Sequence, residues 1–187
     1  MKSQTSFSTK RIVLIALFAA LTVVGSGIRI TVPLEIAGTT AFHLGNIMCA
    51  LSGILLGPLS GGLAAGLGSA IYDMTNPLYI NECWITFLTK GAYGLVAGLL
   101  VYRHKEGYFR SVLASIAGAL TYAVLYLAKS YFYSGLLLNG LTPDAAMLTV
   151  ISKLPATAFN VAVAVIFAPV LALAVQKALK SSHLSLN

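Results

Sequence analysis

Charge is scarce in this chain. Of 187 residues, only 9% are Asp, Glu, Lys or Arg, against about 25% in a typical soluble domain. Acidic residues are the rarest, five against twelve Lys and Arg. So few charges cannot furnish a water-facing surface, which excludes a disordered chain and an ordinary cytosolic enzyme. Cysteine is equally sparse. Cys49 and Cys83 lie in different segments without metal-ligand spacing, which excludes a disulfide-stapled secreted domain and reads as two unpaired thiols. No His, Cys and carboxylate set has ligand spacing, so neither a metal nor a cofactor is expected. No basic block is long enough to follow a phosphate backbone, so nucleic acid is not an expected partner. No small-residue cleavage site precedes the first apolar run, which therefore reads as a span and not as a cleaved signal. No inverted repeat is evident, which argues against a self-contained secondary transporter.

What is present is apolar sequence, 58% of the chain. A spanning helix needs about 20 mostly apolar residues. Runs of this kind predict an all-α membrane protein, one integral membrane domain over residues 1–187, with six transmembrane helices near 12–28, 42–56, 58–74, 84–102, 112–132 and 148–175. The second and third are divided at Gly57-Pro58, where Pro58 suits the first turn of a helix. Basic residues collect on the cytoplasmic side of membranes. Both termini inside gives that side Lys2, Lys10, Arg11, Arg103, Lys105, Arg110, Lys177 and Lys180. The outer side then receives Arg29 alone among the basic residues, together with Glu35, Glu82 and Asp144, with Asp73 close by.

Polar groups inside spans are costly and usually face a bundle interior or a cavity. Lys90 lies about two turns into the fourth predicted span, Lys129 near the outer end of the fifth, and Lys153 and Asn160 seven residues apart on one face of the sixth. Asp73 and Glu82 could meet a ligand or simply neutralise Lys90 or Lys153. Tyr72, Asn76, Tyr79 and Trp84 supply rings and an amide at the outer end, where an interfacial aromatic belt would also place them. His43 and Asn46 open the second predicted span one turn apart, as packing residues or as pocket residues. Together these groups suit an outward-facing pocket for a small polar aromatic solute, stacked on rings and held by amides and ammonium groups. Asn160 could instead bond to neighbouring backbone. On the first span, Ala16 and Ala20 share a face where another helix could approach closely, within the bundle or from a partner.

The runs Phe42-His43-Leu44-Gly45-Asn46-Ile47, Leu55 to Gly62, Gly66 to Asp73, Phe87 to Gly91 and Gly94 to Gly98 resemble the substrate-binding S component of energy-coupling-factor (ECF) vitamin transporters, riboflavin-type branch. The resemblance implies a six-helix bundle with cytoplasmic termini, non-enzymatic, in a bacterial cell membrane, surrounded by membrane lipid. It implies capture of a vitamin from outside and docking on a transmembrane coupling subunit with two cytosolic ATPases. Ala16 and Ala20 match the small-residue face that meets the coupling subunit. No phosphate-binding loop ending in Lys-Ser or Lys-Thr occurs here, so ATP hydrolysis falls to other chains. The branch includes riboflavin, vitamin B6 and hydroxymethylpyrimidine transporters. The polar groups around Asp73, Lys90 and Asn160 suit a single heterocycle, which favours pyridoxine or pyridoxal. From another class, a non-transporting membrane structural or chaperone subunit would use the same polar residues only to satisfy one another.

Overall fold

The computed structural model describes residues 8–34, 39–102 and 107–182. Glu35, Lys2, Arg103 and Lys105, which entered the charge argument, lie outside the described residues. In chain order the elements are α1 (Thr9–Gly27), β1 (Arg29–Pro33), β2 (Thr39–His43), α2 (Gly45–Leu56), α3 (Pro58–Met74), a 3-10 turn (Ile80–Glu82), α4 (Cys83–Val101), α5 (Tyr108–Lys129), a π-helical stretch (Ser130–Leu138) and α6 (Pro143–Ser181).

α2 is the centre of the molecule. All its residues except Met48 are buried, and it packs against α1, α3, α4, α5 and α6. At 12 residues it is only about 18 Å long. Its backbone nevertheless needs no full span, because neighbouring helices enclose it and lipid does not reach it. The sharp reversal into α3 uses Gly57 at φ +79°, a conformation glycine adopts without penalty, followed by Pro58 at the first helical position.

The expectation of six spans is corrected in part. Among the described residues, four helices are long and apolar enough to cross a membrane: Thr9–Gly27, Ile80–Val101, Tyr108–Leu138 and Pro143–Ser181. The short α2 and the glycine-laced α3 do not reach that mark. The second predicted helix also began too early. Residues 42 and 43 belong to β2, which pairs antiparallel with β1 from Arg29↔His43 to Pro33↔Thr39. α6 runs beyond its predicted ends, because Thr142 caps it through its side chain and Pro143 starts it, both standard opening signals. Pro155 and Pro169 lie inside it.

The elements alternate between two ends. The hairpin, the 75–82 segment and the 134–142 segment meet at one, where Tyr79 bonds to both Arg29 and Thr39 and Ser134 bonds to Glu82. At the other, the start of α1 meets the α2–α3 turn through Arg11 Nε donating to Ser60 Oγ at 2.8 Å.

Candidate functional site

A cavity of about 90 Å³ lies at the hairpin end. Each wall comes from a different element. β1 and β2 contribute Arg29, Thr39, Thr40, Ala41 and His43; α3 contributes Ser69, Tyr72 and Asp73. The following segment brings Tyr79 and Glu82, and α4 brings Thr86, Thr89 and Lys90. α5 supplies Tyr122, Tyr126 and Lys129, and α6 supplies Lys153, Thr157 and Asn160. A second cavity of about 140 Å³ adjoins it and shares Thr39, Tyr79, Glu82 and Lys153.

Lys90 is 4% exposed. Its ammonium donates to Asn46 Oδ1 and stands 3.7 Å from the centre of the Tyr122 ring. Tyr122 is the middle of a stacked series, 5.9 Å from Tyr93 and 5.6 Å from Tyr126 between ring centres. An ammonium over an aromatic face is attracted by the ring's negative quadrupole, more strongly when water is absent. Asn46 is fully buried behind Lys90 and does not line the cavity itself.

The carboxylates behave differently from each other. Glu82 is engaged on both oxygens, by Lys129 Nζ at 2.5 Å and by Ser134 Oγ. This is the one ion pair among the described residues. Asp73 lines the cavity without an ion-pair partner among them, and the Thr86 hydroxyl donates to its carboxylate. Lys153 donates to Ser130 Oγ at 3.2 Å, and its ammonium sits 5.6 Å from the Tyr126 ring. Both serine partners lie on the π-helical stretch, so that wider winding sets the side chains holding Glu82 and Lys153.

Asn160 bonds to backbone. Its Oδ1 accepts from His43 N at 2.9 Å, and its Nδ2 donates to Ala41 O at 2.8 Å, clamping α6 to the free edge of β2. His43 Nδ1 in turn accepts from Gly45 N at 3.1 Å, at the start of α2. Burial, with the charges of Lys90 and Arg29 adding to it, pushes the imidazole well below its ordinary value, so Nδ1 remains an acceptor.

Of the twelve candidate residues, nine line the cavity: His43, Tyr72, Asp73, Tyr79, Glu82, Lys90, Lys129, Lys153 and Asn160. Asn46 supports from behind. Asn76 lies outside the cavity, its Oδ1 accepting from Leu78 N in a local turn. Trp84 also lies outside. It is exposed and packs edge-on against Tyr133 at 5.5 Å. Sequence reasoning missed Arg29, Tyr122 and Tyr126. The two tyrosines carried a signal, since Tyr122, Tyr126 and Lys129 recur at four and then three residues on one helix face.

Comparison with known proteins adds a family. The family model described as "ECF-type riboflavin transporter, S component" matches residues 6–177. The chain belongs to this S-component family. A Pyrococcus woesei protein described as "Uncharacterized protein in gap 3'region" is 31% identical over 116 residues, covering 62% of this chain and 74% of its own. A UPF0397 protein from Streptococcus gordonii is 33% identical over 130 residues, 65% of this chain and 67% of that one. One from Streptococcus pneumoniae is 30% identical over 131 residues, covering 65% and 69%. As an S component, the chain is a non-catalytic part of a transporter and a multi-pass membrane protein with bacterial relatives. ECF architecture in general includes a coupling subunit and ATPase subunits.

Proposed function

We propose that this S component captures a single-ring vitamin at the hairpin end, a vitamin B6 form such as pyridoxine or pyridoxal, for ATP-driven import. The observation that carries the reading is the buried Lys90 ammonium on the stacked tyrosines, facing a cavity that also holds the Asp73 carboxylate, which has no ion-pair partner among the described residues. The ring face offers stacking, and the two charged groups offer directional bonds to ring substituents. The two adjoining cavities, of about 90 and 140 Å³, are small beside the roughly 300–1,000 Å³ of pockets for drug-sized ligands and suit one heterocycle better than the tricyclic ring and ribityl chain of riboflavin. Mass spectrometry of the small molecule that co-purifies with the chain, followed by calorimetry against B6 forms, riboflavin and hydroxymethylpyrimidine, tests this directly. Tighter binding of riboflavin or hydroxymethylpyrimidine replaces the B6 assignment. No binding to any of them favours the structural-subunit reading.

In this proposal all six helices traverse the bilayer within one domain, with both termini cytoplasmic. Lys10, Arg11, Arg110, Lys177 and Lys180 gather toward the end opposite the cavity, as the inside preference of basic residues requires. A cysteine at Leu78 is then labelled from outside intact cells and one at Gly107 is protected; the reverse pattern rejects the topology. Ala16 and Ala20 are exposed on α1, on the face away from buried Ile15, Phe18 and Ala19, which supports their use in docking on the coupling subunit. Replacing both with leucine should abolish co-purification with that subunit and leave ligand affinity unchanged. Lost binding with intact assembly assigns them to the bundle's own packing.

A further inference from the structure

We propose that Arg29 is the anion-recognising residue of this cavity, and that the ring bound there carries a carboxylate or phosphate oxyanion. The proposal rests on the vitamin-capture reading and narrows its ligand class to an acidic or phosphorylated ring form, in place of neutral pyridoxine or pyridoxal. Four basic side chains line the cavity against two acidic ones. Lys129 and Glu82 neutralise each other. Among the described residues, that leaves Arg29, Lys90 and Lys153 with only Asp73 to balance them, and none of the three has a carboxylate within 4.0 Å. Burying unpaired charge is expensive, and a ligand bearing negative charge relieves it.

Arg29 is the group best shaped for that task. Its Nη2 donates to Tyr79 OH at 3.0 Å. Its guanidinium carbon lies 4.7 Å from the Tyr79 ring centre and 5.3 Å from that of Tyr72. Two aromatic faces and one hydrogen bond thus hold the guanidinium in place before any ligand arrives, which reduces the entropy lost on binding. Its Nε is buried yet has no hydrogen-bond partner among the described residues. A buried donor left without a partner is unusual in a native structure. Guanidinium N–H groups match the oxygens of carboxylate and phosphate in direction and charge. A neutral hydroxymethyl or aldehyde arm would leave the local charge excess in place.

The test is calorimetric titration of the full chain with two pairs of compounds, pyridoxal against 4-pyridoxic acid and riboflavin against riboflavin 5′-phosphate. Within the pair that binds, the anionic member should be favoured by about 10-fold or more, the scale of one charge-assisted hydrogen bond. Arg29→Gln should erase most of that margin while moving the affinity of the uncharged member by less than about threefold. Arg29→Lys keeps the charge without the planar fork and should retain part of the margin. Should Arg29→Gln not fold, the wild-type margin and its reduction in Arg29→Lys still decide. The proposal is overturned if the uncharged member binds as well as the anionic one, or if Arg29→Gln weakens both equally, which would make Arg29 a brace for the tyrosines. It is also overturned if inorganic phosphate alone displaces the ring acid at similar concentration, because recognition then does not involve the ring. A preference for pyridoxal over its acid leaves vitamin capture standing and removes only the anion. Failure of all four compounds to bind removes the anion proposal, and vitamin capture falls with it only if hydroxymethylpyrimidine also fails to bind.

Discussion

The two ends of the bundle are joined by opposite means. Toward the basic end, α2, α3 and α4 meet backbone on backbone. A Cβ added at Gly61 would stand 2.5 Å from Gly53 Cα, one at Gly94 2.6 Å from Gly61 O, and one at Gly98 2.5 Å from the carbonyl carbon of Gly57. Small residues allow membrane helices this close an approach, and close packing there takes over the role that hydrophobic burial plays in water. At the hairpin end, the elements are linked by polar side chains: Lys90 to Asn46, Lys129 to Glu82, Arg29 and Thr39 to Tyr79, Asn160 to β2. The seam fixes where the helices stand, and the polar end decides what the bundle can hold. Scaffold and site are therefore separable, and substitutions should sort accordingly.

The largest effect is expected in the seam. Gly98→Val forces α4 away from the α2–α3 turn and should destabilise the protein by about 3 kcal/mol, read as a lowered unfolding midpoint in detergent. An unchanged midpoint would mean that the seam has slack and that the contrast between the ends is false. Next comes Asn160→Leu, which leaves His43 N–H and Ala41 C=O without partners. A loss of about 1 to 3 kcal/mol should be accompanied by faster amide exchange confined to the hairpin. Exchange that quickens throughout α6 instead would assign Asn160 to the scaffold. Lys90→Met should weaken ligand binding roughly 5- to 150-fold, the range of one buried hydrogen-bonding partner. It should change stability by no more than about 1 to 3 kcal/mol, because relief of the buried ammonium is offset by Asn46 Oδ1 losing its donor. A collapse of stability along with binding would merge site and scaffold at that residue. The smallest effect is Trp84→Phe, with affinity unchanged within about twofold, because the indole lies outside the cavity. A larger loss would extend the site to the first turn of α4.

Some of this organisation is legible in residue order and some is not. Gly57-Pro58 announces the α2–α3 reversal, and the depth of Lys90 marks it as internal, because glycine, proline and buried charge each act through a local penalty visible at one position. The quoted motifs from Phe42 to Gly98 carry the family. The hairpin escapes because its five-residue strands abut apolar helices whose hydrophobic patterns run into them, so Phe42 and His43 read as helix. Arg29 escapes for a related reason. At the end of an apolar run an arginine looks like a topology marker, and only the fold brings Tyr72 and Tyr79, more than forty residues away, against it. Trp84 misleads in the other direction, because a belt tryptophan and a pocket tryptophan have the same sequence context.

The clamp by Asn160 has a consequence for assembly order. A chain emerges from the ribosome N-terminus first, and the hydrogen bond from His43 to Asn160 spans 117 positions. The outer edge of β2 thus waits, without its helical partner, until residue 160 has been made. A strand is prone to slip where nothing pins its register, and a slip of one residue turns each side chain to the opposite face. α6, made well after the hairpin, then fixes the register of β2 through Asn160. Nascent chains halted before residue 160 should carry every residue of the glycine seam and yet lack a correctly set hairpin beside the cavity.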